Sequence, residues 1–290
     1  MKNSDITATQ DSGRSLIFEP APADLTPFVS AFVCRDDTAA GGVVRFLPEV
    51  RGSIQIMLAD PVWQRDAETG APWTAAPRIG LWGPRYSWCY GFAARHIRAY
   101  AVGLTYAGLR AITRTPTARI VDQILPLEAC RPDLARSLAP LAGEPFPAWR
   151  RRAETRLREV FAAETAEGPE AEALDILATF DGGAVARAAS VSGLSERQFR
   201  RRFQDAVGVP PKLYQRALRI DRMVRRIHVA PWETDSFGDA PIPFADQPHA
   251  IREFRAMTGI SPGAYLRASR AGGRTLRSVR VDGVDGPPEA

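Results

Sequence analysis

The chain is poor in the residues that most often carry chemistry. Cysteine occurs three times in 290 residues, at Cys34, Cys89 and Cys130. The three are far apart, odd in number and in no C-x-x-C spacing, which excludes a disulfide framework and a thiolate metal cluster. Each is expected as a small, buried apolar residue, which suits a reducing cytoplasm. Histidine is equally scarce: His96, His228 and His249 are dispersed, with no carboxylate or thiol cluster around them. No metal site is therefore expected. No apolar run reaches 18 residues, so no membrane span is expected. Met1–Ser15 is polar and lacks the apolar centre of a signal peptide. G-x-S-x-G, the phosphate-binding G-x-x-x-x-G-K-[ST] loop and G-x-G-x-x-G are all missing. The sequence thus gives no support for an enzyme or for a cofactor.

What is present is an ordinary globular composition, 45% hydrophobic and 24% charged, on a chain long enough for two domains. The net charge of +5 is unevenly placed. Residues 1–174 hold 20 basic and 20 acidic side chains, residues 175–270 hold 15 and 10, and residues 271–290 hold three of each. The whole excess lies in one block, and 14 of its 15 cations are arginine, Lys212 being the exception. Localised basic charge is the footprint of a polyanion binder.

The pattern along the chain divides it. Residues 1–15 read as a disordered leader. Residues 16–165 read as a β-rich domain with trailing helices, with short β-branched and aromatic segments at Val43–Val50, Ser53–Leu58, Arg78–Trp82 and His96–Leu104. Pro147–Thr165 is helical, with Trp149, Ala153, Leu157, Val160 and Phe161 on one stripe, suited to packing on a sheet or to forming a dimer face. Residues 166–173 read as an acidic linker, 174–268 as all helix, and 269–290 as a disordered tail. His96 and Arg98 share a strand face, where an ordinary charge pair is expected rather than an anion site. The fold class expected is α+β.

The helical block carries the informative motif. A short helix, Ala184–Ser190, is lined by the small residues Ala186, Ala188 and Ala189. Gly193 then supplies the positive φ of a tight turn, Ser195 is placed as an N-cap, and a second helix runs to about Ala206. Helix, glycine turn, helix is the helix-turn-helix pattern. In the second helix Phe199 and Phe203 point inward. Arg197, Arg200, Arg201 and Gln204 form the opposite stripe, suited to guanine edges and phosphates in a major groove. The run Arg200–Arg202 reads as lacking a carboxylate four residues away, unlike an ordinary solvated helix. After Val209-Pro210-Pro211 a longer helix, Lys212–His228, places Leu213, Leu218, Met223 and Ile227 in a core, with Arg216, Arg219, Arg222, Arg225 and Arg226 at its rims.

A repeat follows. Phe203, Gly208, Pro211 and Tyr214 recur as Phe254, Gly259, Pro262 and Tyr265, each 51 residues later. With Gly193-Leu194-Ser195, Phe199 and Arg201, and with the stretch Phe244-Ala245-Asp246-Gln247-Pro248-His249-Ala250-Ile251-Arg252-Glu253-Phe254-Arg255 followed by Ser261-Pro262, these residues resemble the DNA-binding domain of the AraC/XylS regulators. The resemblance covers about 95 residues. It implies seven helices in two helix-turn-helix units joined by a central helix, with two recognition helices entering successive major-groove segments. By position the base-facing residues of the second unit are Gln247, Pro248, Ile251, Arg252 and Arg255, with Asp246 as its cap.

The second unit departs from the family. Thr234–Phe244 holds Gly238, Pro241 and Pro243 where the family has an Ala- and Leu-rich helix, and a proline inside a helix costs about 3 kcal/mol. Ala250 stands where the family has Phe. The first unit is therefore expected to dominate DNA reading; the alternative is a regulator acting mainly through protein partners. Phe46-Leu47-Pro48-Glu49, Ile54–Leu58, Gly83-Pro84 and Val102-Gly103-Leu104 resemble the β-rich sensory domain of one subgroup, with Glu49-Val50 in place of Asp-Gly. Trp82, Trp88 and Tyr90 are candidates for an effector pocket or for plain core. A repair methyltransferase joined to a similar domain would need a Pro-Cys-His-like site, which Cys34-Arg35 and Trp88-Cys89 do not supply. The partners implied are promoter DNA, RNA polymerase, an unidentified small-molecule effector and a second copy of the chain, with no membrane.

Overall fold

The computed structural model describes residues 9–11, 14–38, 41–166, 169–179, 183–229, 247–271, 278–281 and 283–288. Thr234–Phe244, with Pro241 and Pro243, lies outside the described residues, as does the expected cap Asp246.

The first half is built from strands β1 (Thr9–Asp11), β2 (Arg14–Pro20), β3 (Val29–Asp37), β4 (Gly42–Phe46), β5 (Ser53–Met57), β6 (Val62–Asp66), β7 (Thr74–Ala75), β8 (Ile79–Trp82), β9 (Cys89–Ala93) and β10 (Ile97–Leu104). Helix α1 (Tyr106–Thr113), a 3-10 turn (Thr117–Arg119), β11 (Ile124–Pro126), α2 (Leu127–Cys130), α3 (Pro132–Leu138) and α4 (Phe146–Phe161) complete it. One antiparallel sheet runs β1-β2-β3-β10-β5-β8-β11. A second runs β4-β9-β6-β7 and takes β12 (Ser278–Arg280) on its β4 edge. The leader and the tail, both expected to be disordered, thus contribute strands: Thr9–Asp11 closes a hairpin on Arg14–Leu16, and Ser278–Arg280 pairs with Val44–Phe46. Three-residue strands are too short to show an alternating pattern, and their partners are set by the finished fold.

The larger sheet is cored by Phe32, Ile54, Ile56, Tyr100 and Val102, all essentially inaccessible. Helix α4 covers one face of it. Its stripe Trp149, Ala153, Leu157 and Phe161 is buried there. The Trp149 ring lies 4.9 Å from Tyr100 and its Nε1 donates to the Leu138 carbonyl at 2.8 Å, while Phe161 stacks on Phe28 at 4.5 Å. That stripe is therefore core and not a free dimer face. His96 Nε2 lies 2.6 Å from Asp36, with Arg98 at 3.6 Å, so this strand face makes its own charge pair.

The second half is helical: α5 (Pro169–Leu177), α6 (Ala184–Val191), α7 (Glu196–Val207), α8 (Pro211–Val229), α9 (Gln247–Thr258) and α10 (Pro262–Ala271). These are six helices among the described residues. Helix α5 occupies part of the expected linker. Its Ala173 and Leu177, one turn apart, are buried in the helical core, which is enough to hold an otherwise acidic segment. The two halves share one core. Leu47, Tyr86 and Val279 belong to the same buried cluster as Phe199, Phe203, Val207, Phe254 and Tyr265. No helix among the described residues is long and apolar enough to cross a membrane.

Trp149→Ala empties a fully buried site and is expected to lower stability by about 3–5 kcal/mol. Denaturant unfolding measures it; an unchanged midpoint would show that α4 is not anchored through this ring.

Candidate DNA interface

Two stretches of the helical half repeat the same local chemistry at one spacing. In the first, Ala184, Ala188 and Ala189 are buried, so α6 allows close approach of its neighbours. Gly193 turns at φ 66°, and the Leu194 amide donates to the Ala189 carbonyl at 2.9 Å. Ser195 caps α7: its hydroxyl accepts from the Gln198 amide, and the Gln198 side chain accepts from the Ser195 amide, a reciprocal capping box. Helix α7 then buries Phe199, Phe203 and Val207 and ends at Gly208, φ 94°. The Phe203 ring meets Tyr214 of α8 at 5.8 Å. In the second unit Phe254 meets Tyr265 of α10 at 5.9 Å, and α9 gives way to α10 through Gly259, φ 72°. The 51-residue repeat is thus a repeat of ring pair, left-handed glycine and proline helix start.

Burial of the aromatic stripe decides what faces out. Arg197, Arg200, Arg201 and Gln204 are all exposed on α7, as is Arg202. Moving each of the first four by 51 residues gives Pro248, Ile251, Arg252 and Arg255, and these are exposed on α9. Of the α9 candidates, Gln247 begins the helix. One expectation fails: Arg200 does have a carboxylate four residues away and forms an ion pair with Glu196. Arg200 therefore enters any DNA contact from an existing surface pair, which costs little to break. Gln198 is occupied by the cap and is not a reader.

The position equivalent to Arg202 is Glu253, which sequence reasoning passed over. Arg202 is exposed, whereas the Glu253 side chain is 4% exposed. Its Oε1 accepts from Arg216 Nε at 3.1 Å and from Arg219 at 2.9 Å, and His249 lies 3.5 Å from Oε2. Two of the arginines expected at the rim of α8 thus clamp α9 to the central helix. The residues alone show only a lone acid in a basic helix; that Arg216 and Arg219 lie opposite it comes from the crossing of α8 and α9.

The aromatic candidates are engaged elsewhere. Trp82 packs edge-on to Phe46; Trp88 and Tyr90 meet edge-on, with Arg45 over Trp88 and Arg65 over Tyr90. A cavity of about 400 Å³ lies between α1, residues 164–166 with Ala171, and α7. Arg110, Arg114, Glu164 and Ala206 are among its lining residues; the three aromatics are not. Burial pushes the Cys34 and Cys89 thiols up to about 11, so neither is a nucleophile at neutral pH. No cluster of metal-ligating side chains exists among the described residues.

Comparison of the sequence with curated proteins finds no match. Residues 188–268 match the model of a helix-turn-helix domain family. Among solved structures, ToxT from Vibrio cholerae matches with a TM-score of 0.50 at 8% identity, over 81% of this chain and 98% of that one. A crystal structure of a ToxT variant in its apo form, from Vibrio cholerae strain SCE256, matches with a TM-score of 0.49 at 10% identity, over 86% and 98%. The first of these extends the likeness of fold across both halves. The segment 188–268 is a helix-turn-helix domain of the AraC type. The fold that the first match supports is a β-rich N-terminal region joined to a helical C-terminal part.

Glu253→Ala leaves two guanidinium groups without their buried acceptor and is expected to lower stability by about 1.5–3 kcal/mol, Glu253→Gln by less. Chemical unfolding of the full chain checks this. Equal stability of all three proteins would show that the clamp contributes nothing.

Proposed function

We propose that the protein reads DNA sequence through the exposed faces of α7 and α9, inserted into successive major-groove segments, and that α7 dominates. The observation that carries this reading is the outward face Arg197, Arg200, Arg201 and Gln204 on a helix fixed at both ends, by the Ser195 box and by Gly208. The equivalent α9 face offers two guanidinium groups, Arg252 and Arg255, beside Pro248 and Ile251. Guanidinium forks match guanine edges and phosphates, whereas proline and isoleucine offer only apolar contact with thymine methyls. The charge difference favours the first unit both in phosphate attraction and in base discrimination.

An effector is assigned to the N-terminal half and its border with α7. The 400 Å³ cavity is the candidate, because Ala206 of α7 forms part of its wall.

The test is binding of the full chain to selected DNA fragments. Arg201→Ala is expected to cost about 1–3 kcal/mol, roughly 5- to 150-fold, and to relax preference at one base position. Arg252→Ala is expected to cost less. Affinity should fall steeply with salt while sequence discrimination persists. A loss from Arg252→Ala equal to that from Arg201→Ala would overturn the dominance of α7. Binding without discrimination would favour a regulator that works through protein partners.

A further inference from the structure

The helical half has three described glycines in the left-handed region, and their surroundings differ. Gly193 (φ 66°), in the turn between α6 and α7, has open space where a Cβ would project. Gly208 and Gly259 do not. A Cβ on Gly208 would lie 2.7 Å from Ala118 Cα and 2.5 Å from a Val121 methyl, and a Cβ on Gly259 would lie 2.8 Å from the Trp88 indole. Both contacts come from the N-terminal half. Ala118 belongs to the 3-10 turn after α1, and Val121 follows it toward β11 in the larger sheet. Trp88 immediately precedes β9 of the smaller sheet, where Arg45 of β4 covers its ring at 4.1 Å. That sheet also holds β12, whose Val279 is buried in the core shared with Tyr265 of α10.

The two glycines are the same position of the 51-residue repeat, each at the C-terminal end of its recognition helix. Besides the shared core, the N-terminal half therefore meets each unit at an equivalent corner, from a segment leading to β11 in one case and to β9 in the other. A close-packed contact of this kind transmits position, since a shift of a few tenths of an ångström at either corner meets repulsion.

We propose that the N-terminal half is a spacer that fixes the distance and angle between α7 and α9, and so selects the separation of the two DNA segments the protein binds. The sites that set this spacing are Ala118 and Val121 for the first unit and Trp88 for the second. None of them belongs to the exposed recognition faces. The inference rests on the two-helix reading above for its DNA consequence, but its geometric content stands without it.

Two measurements separate these layers. Spin labels are placed at positions 204 and 255 of the full chain, in a background with the three native cysteines replaced by alanine. Pulsed electron-electron distance measurement should give one narrow distribution. Trp88→Ala and Gly259→Ala should each broaden it, while Gly193→Ala, which adds only backbone strain, should leave it narrow. Unchanged widths in both Trp88→Ala and Gly259→Ala, with circular dichroism showing folded protein, would overturn the proposal. In parallel, binding is measured on DNA in which one to four base pairs are inserted between the two segments. The parent chain should lose about tenfold or more per step away from its optimum. Trp88→Ala should flatten that dependence while keeping the base preference that Arg201→Ala removes. A spacing profile unaltered by Trp88→Ala would count against the spacer. Absence of sequence-specific binding by the parent chain would fail the DNA reading, and the label distances would then decide the spacer by themselves.

Discussion

Burial of Phe199 and Phe203 is the constraint on which the site depends. Two aromatic rings one helical turn apart, 5.7 Å between centroids, must face the shared core, and Val207 continues the same stripe. With that side of α7 committed, residues at 197, 200, 201 and 204 can only face away. The capping box at Ser195 and the left-handed end at Gly208 then fix the helix length, so the arginines occupy set positions along its axis. Charge alone would not do this. A basic helix without an aromatic stripe could present its arginines in any direction.

The second unit repeats the scaffold with different chemistry. Phe254 and Tyr265 reproduce the Phe203–Tyr214 pair almost to the tenth of an ångström. Phe199 becomes Ala250, however, and Arg202 becomes Glu253. One large ring is lost from the inner face and a buried carboxylate is gained, held by Arg216 and Arg219 of the central helix. A hydrogen-bonded charge cluster thus stands where the first unit has an exposed arginine. Such a cluster constrains orientation strongly, because a buried carboxylate tolerates few alternative placements of its partners.

Much of this was legible in the residues. The turn Gly193-Leu194-Ser195, the stripe of alternating phenylalanine and arginine, and the constant 51-residue offset all express local rules, and local rules are what a sequence displays. The β character of residues 16–105 was legible for the same reason. The elements missed depend on distant partners. Helix α5 looked like a linker because its composition is acidic, yet two buried residues suffice once a core is there to receive them. Strand β12 is three residues long and acquires meaning only beside β4. The Glu196–Arg200 pair was within reach of the sequence, since it is an ordinary four-residue spacing. The Glu253 clamp required knowing that α8 crosses α9, and the docking of Trp88 on Gly259 required both halves of the fold.

The account comes down to two equivalent helix faces meeting DNA side by side, and photocrosslinking addresses that directly. A photoreactive side chain is placed at position 204 or at position 255 of the full chain, and the crosslinked nucleotide is mapped on a bound promoter fragment. The account predicts that each position crosslinks to one defined place, the two lying about one helical turn, 10–10.5 base pairs, apart on one face of the duplex. Crosslinks from position 204 that scatter along the fragment, or none from either position on DNA that the protein binds, would contradict it.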